Sequence, residues 1–208
     1  MTDTNYLREK ILLFLYAISI TRNSINKNTF ERFLYLYYMS SKFLYQSKDS
    51  ISVILKKSGI SINGLAQVLD DLVIGNFILL SEDEIIINNK FTQFFSPIME
   101  DSEGKLNSDY KTILPFINLL CSYSDDNIFT IMFSEPTFIS ADLRNSKQAS
   151  AIDSQLSILL TDFKKSIVDK EIDEYDILTY WMDYILKSLI TSGEASEWLT
   201  INLSQRKT

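Results

Sequence analysis

The chain has 208 residues, 46% apolar and 12% aromatic, with a formal net charge of −7 and no histidine. Its length suits one large domain or two small ones, and its composition excludes wholesale disorder. No apolar run reaches the ~18 residues of a membrane helix, and a single cysteine, Cys121, rules out an internal disulfide, so the cytoplasm is the expected compartment.

Charge is unevenly spread. Residues 1–60 hold nine Lys/Arg against four acids, a net of +5, so the remainder carries −12. Two faces with different partners would produce this, as would a solvated surface that varies by chance.

In chain order, residues 4–20 have the period of a helix, with Leu7, Ile11, Phe14, Leu15 and Ile18 on one side. A polar loop, 21–24, precedes a second helix from about Asn28 to Tyr45. Phe30, Phe33, Leu34, Tyr37 and Leu44 form its inward stripe, and Thr29 and Arg32 face away. This helix carries more aromatics than one face can bury. Either it is sandwiched within its own domain, or Tyr35, Tyr38 and Tyr45 serve a partner surface, a use that suits a ring with one apolar and one polar end.

Residues 50–88 follow. Ile51, Ile54 and Leu55 predict a short helix, Ser58-Gly59 a turn, and Ile62, Leu65, Val68, Leu69 and Leu72 a second helix over 61–74. Gly75 stands where a left-handed C-cap is wanted. Two β-rich runs, 77–80 and 85–87, flank the acidic turn Ser81-Glu82-Asp83-Glu84. Helix, turn, helix and β-hairpin in this order resemble the winged-helix family. In its nucleic-acid-binding members the second helix reads DNA. Here that helix has no Lys or Arg but carries Asp70 and Asp71, and the wing adds three acids. Phosphate contact needs cations, and locally only Lys56 and Lys57 favour it. A winged helix so charged is expected to bind protein.

Lys90 to Met99 predicts a short helix or turn ended near Pro97, and the polar stretch 101–109 a boundary. Residues 110–123 are helical in period, with Pro115 in the first turn or at a kink. Residues 127–133 fit a strand or a buried helix equally. An irregular connection, 134–147, leads to helices over about 147–169 and 174–191, which should pack antiparallel. The tail 197–203 offers Trp198 as an anchor for its own domain or for a partner.

Chemistry is sparse. Without histidine there is no Ser-His or Cys-His pair and no imidazole metal site, and the five glycines form no phosphate loop. Glu103-Gly104-Lys105 and Ser102-x-x-Lys105 match fragments of nuclease and acyl-enzyme patterns, but both fall in a polar loop and read as solvated charge. No catalytic, cofactor or metal residue is therefore expected.

The resulting fold class is mainly α with a small β-wing: a winged-helix domain with two N-terminal helices over 1–100, then an α-helical interaction domain over 101–208. In size, order of elements and missing chemistry, the chain resembles the small winged-helix accessory subunits of SMC-type ATPases. The likeness is greatest to the middle subunit of ABC three-component and Lamassu-type antiviral systems, and Leu69-x-x-Leu72…Gly75-Asn76-Phe77-Ile78 is its motif. The resemblance implies a non-enzymatic scaffold in a hetero-oligomer, joining an SMC-like ATPase to an effector nuclease in antiphage defence. The alternative is a winged-helix transcriptional regulator that sets Arg22, Lys27, Lys48, Lys56 and Lys57 against DNA phosphate.

Overall fold

A helix in which every residue from Arg32 to Ser41 is buried sets the architecture. The computed structural model describes residues 4–45, 51–56, 59–101, 104–133, 147–150, 155–166 and 172–192. In order these form α1 (Thr4–Thr21), β1 (Ser24–Asn26), α2 (Lys27–Tyr45), β2 (Ser52–Lys56), β3 (Gly59–Ile62), α3 (Leu65–Ile74), β4 (Ile78–Leu80) and β5 (Glu84–Ile87). There follow α4 (Asn89–Glu100), α5 (Lys105–Ser122), α6 (Asp125–Phe133), β6 (Lys147–Ser150), α7 (Gln155–Ser166) and α8 (Glu174–Ser192). Among the described residues the chain is mainly helical, with two small antiparallel sheets of order β1-β5-β4 and β3-β2-β6.

The helix α2 is the central element. Asn26 caps it, its Oδ1 accepting from the backbone N–H of Asn28 at 2.9 Å and of Thr29 at 3.3 Å. Elements pack on several of its sides. Phe14 of α1 meets Phe30 and Tyr37 edge-on, and Phe116 of α5 meets Tyr37 at 5.5 Å. Further contacts come from α6, α7 and α8. Thr29 and Arg32, expected to face away, are instead buried, because this helix has no solvent side over most of its length. Arg32 lies with its guanidinium 4.8 Å from the Phe129 ring centroid. The buried apolar residues form one contiguous cluster that draws on both sides of position 100, from Leu7 and Phe33 to Phe116, Leu160 and Trp181.

Several local expectations are corrected. Residues 51–56 do not form a helix. Val53 and Ile54 are β-branched, Ile51 and Val53 are buried while Ser52 and Ile54 are partly exposed, and that period of two is a strand's. β2 pairs with β3 on one edge, Val53 opposite Ile62, and with β6 on the other, Val53 opposite Ala149. The helix expected from 147 therefore begins only at Gln155, after a strand. Ser24, read as the end of a loop, instead opens an edge strand, Ser24–Asn26, on β5. Within the polar stretch 101–109, α5 starts at Lys105, and of the two readings left open for 127–133 the helix is found, over Asp125–Phe133. Pro97 and Pro115 lie inside α4 and α5 on exposed positions, each without the N–H that a helix interior normally donates.

The expected helix α3 starts at Leu65 and buries Leu65, Val68, Leu69 and Leu72. Gly64 precedes it at φ +85°, a left-handed conformation that suits glycine. At the other end the left-handed residue is Asn76 (φ 60°), not Gly75 (φ −69°). Phe77 N–H donates to Leu72 O and Asn76 N–H to Val73 O, both at 2.9 Å, which completes a Schellman cap. Gly75 is needed for space: a Cβ there would stand 2.7 Å from the Phe77 ring.

Candidate functional site

The cations of the N-terminal region come first, because a nucleic-acid role requires them free. Arg8 pairs with Asp71 of α3, and Lys10 with Asp109 at 3.4 Å. Lys27 donates from its ammonium to Ser81 O and, at 3.0 Å, to Glu82 O, and its backbone N–H bonds Asp83 O. The β4–β5 turn is thereby clamped to the start of α2. Arg22 lies against Phe33 and Cys121, and Arg32 is buried. Lys105 bonds Glu9 at 3.1 Å, and that bond holds its ammonium above the ordinary range. Five of the nine cations of the first 60 residues, Arg8, Lys10, Arg22, Lys27 and Arg32, are thus turned onto this chain's own carbonyls, acids and rings. Lys48 and Lys57 lie outside the described residues, as do Glu103 and Trp198. Lys56 is at the end of β2, opposite Gly59, and nothing of its side chain is described.

The tyrosines sort differently. Tyr35 and Tyr38 are buried by this chain, 2% and 0% exposed, and Tyr38 packs on Tyr6 and Tyr37. They present no surface to a partner in this structure. Tyr45, half-buried, ties three helices together. Its hydroxyl and that of Tyr175 (α8) touch each other and both reach Thr112 O (α5), at 3.1 and 3.0 Å. Burial first, and then the bond to Tyr175, raises the Tyr45 phenol far above its usual range.

An apolar strip is exposed beside the β4–β5 hairpin. Phe91 and Phe95 of α4 are buried one turn apart, whereas Phe94 is 55% exposed and rests on Phe77 at 5.4 Å between ring centroids. Ile98, one turn on, is also exposed. On the other side, Ile78 points into the core, so its strand neighbour Leu79 points outward and is 50% exposed. Lys90 crosses the middle: its ammonium lies 5.0 Å from the Phe77 ring centroid and donates to Gly75 O at 2.8 Å, at the negative end of α3. The ends of the strip are acidic, with Glu82, Asp83 and Glu84 beyond Leu79 and Glu100 and Asp101 beyond Ile98, all exposed. Glu82, Asp83 and Glu84 stand out in the sequence as an acidic turn, whereas Phe94 carries no expectation there. The signal was present, since a third phenylalanine one residue off the Phe91/Phe95 stripe cannot share their face.

Among the described residues no group of three or more His, Cys, Asp or Glu is placed to hold a metal ion, and no helix is long and apolar enough to cross a membrane. No family model, curated protein or solved structure matches this chain.

Proposed function

We propose that the chain is a non-catalytic interaction subunit whose first 100 residues are a winged helix built for protein. The order α1-β1-α2-α3-β4-β5, with β1 added to the wing hairpin in a sheet of order β1-β5-β4, supports that reading; β2 and β3 then form a hairpin inserted before α3. The observation that carries the function is the strip of Leu79, Phe77, Phe94 and Ile98 between two acidic ends. Exposed aromatic and aliphatic side chains give contact area, and flanking carboxylates select a partner segment that is apolar with basic flanks. The outer side of α3 offers Gln67 and Asp70, which disfavours a DNA backbone.

The resemblance in size and element order makes an SMC-like coiled-coil ATPase, with its effector nuclease, the first partner to test in a hetero-oligomer. Co-expression with each candidate, followed by size-exclusion chromatography, is the experiment. A complex should form with the wild type and be lost with Phe94→Ser/Ile98→Ser, two exposed positions whose change leaves the fold intact. Failure of every candidate to form a complex, together with duplex binding that weakens steeply with salt, would replace this reading by the regulator.

A further inference from the structure

Where α1 ends against α5, a cleft of about 350 Å³ is lined by Thr21, Arg22, Asn118, Cys121 and Ser122. Its volume falls within the range of small-molecule sites. Arg22 is held at its base. The backbone N–H of Arg22 donates to Ile18 O at 2.9 Å, its guanidinium carbon lies 5.8 Å from the Phe33 centroid, and Nη2 reaches Cys121 Sγ at 3.8 Å. Its Nε is shut off from solvent and has no hydrogen-bond partner. Among the described residues no carboxylate comes within ion-pair distance of Arg22.

A thiol is a weak acceptor for a guanidinium. Burial holds Cys121 protonated, an effect that Arg22 and Thr21 only partly offset and Asp125 reinforces, so no thiolate balances the cation. The hydroxyls of Thr21 and Ser122 donate to Ile18 O and Leu119 O, at 3.1 and 2.6 Å. The lining therefore holds one cation with no carboxylate in ion-pair reach among the described residues, and the exposed Asn118 amide stands at the rim. A half-buried cation is costly unless paired, and the planar guanidinium fork fits a two-oxygen anion best.

We infer that this cleft binds a small carboxylate-bearing molecule, with Arg22 as the anchoring cation and Asn118 as the second donor. The inference does not depend on the interaction role proposed above. The probes are citrate, acetate and inorganic phosphate, with sodium chloride at matched ionic strength as control. Thermal unfolding and the rate at which neutral iodoacetamide alkylates Cys121 are the two readouts.

At a concentration ten times its dissociation constant, a carboxylate should slow alkylation about tenfold, because only the empty cleft exposes the thiol. Arg22→Gln should abolish the protection, and Cys121→Ser should keep the thermal shift. Asn118→Leu fills the rim without touching Arg22, and it should also remove the protection if Arg22→Gln does not fold. Phosphate protecting as well as citrate would reassign the cleft to phosphate. No protection beyond that of chloride, or equal protection in the folded variants, would overturn the site altogether.

Discussion

The Arg8 guanidinium is paired with the Asp71 carboxylate, so the first helix is hooked to the outer turn of α3. Gln67 donates to the other oxygen of the same carboxylate at 3.2 Å. One of the two acids on α3 is thereby answered from within the chain, and so is one cation of the basic N-terminal region. Both partners are well exposed, 46% and 37% at the side chain. Arg8→Ala should therefore lower stability in urea by no more than about 1 kcal/mol. A larger loss would mean that this pair holds α3 in place.

Phe116 is buried to 1% and meets Tyr37 across the region where α2 and α5 pack. Phe116→Ala should cost about 3–5 kcal/mol. Because the core is one cluster, circular dichroism and tryptophan fluorescence should give superimposable transitions in the wild type, and both should shift together in the variant. Transitions that separate would show that residues 1–100 and 101–208 unfold as independent units.

At the end of α3, neighbouring positions should respond with opposite signs. Gly75→Ala sets a methyl against the Phe77 ring and should cost about 1–3 kcal/mol. Asn76→Gly relieves a left-handed φ of 60° and should leave stability unchanged or raise it by less than about 1 kcal/mol. Chemical denaturation of the two variants checks both.

Burial raises the Cys121 thiol, and the Arg22 charge opposes this only in part. The rate of alkylation should then inflect at a higher pH in the folded protein than in the urea-unfolded chain. The sign for stability follows. A pKa raised on folding favours the fold fully below the unfolded value, and that contribution is lost as pH climbs through the folded value. Arg22→Gln removes the opposing charge and should move the inflection higher still.

How much of this was legible depended on the range of the interactions involved. α1, α3, α8 and the β4–β5 hairpin were readable because Leu65, Val68, Leu69 and Leu72, or Ile85 and Ile87, carry their own period. Ile51 to Leu55 was not, because a short apolar run has no period that separates strand from helix. One of its two partner strands, Lys147–Ser150, lies far along the chain. The aromatic surplus of α2 was visible, but whether Tyr35 and Tyr38 face a partner or their own core is decided by packing between elements, such as Tyr38 on Tyr6 of α1, which no local pattern states. The same holds for the cations. The sequence shows Lys27 as a positive charge, and only the fold shows it turned onto the carbonyls of Ser81 and Glu82.

The pairing of Val53 with Ala149 also orders events during synthesis. A nascent chain that has emerged as far as α6 already contains the β2–β3 hairpin, but the other edge of β2 has no strand to meet until Lys147–Ser150 leaves the ribosome. For that interval β2 offers open backbone donors and acceptors, the kind of edge on which chains stick to one another and chaperones bind. Late-arriving residues thus complete a sheet begun early, and slowed translation between residues 62 and 147 should lower soluble yield.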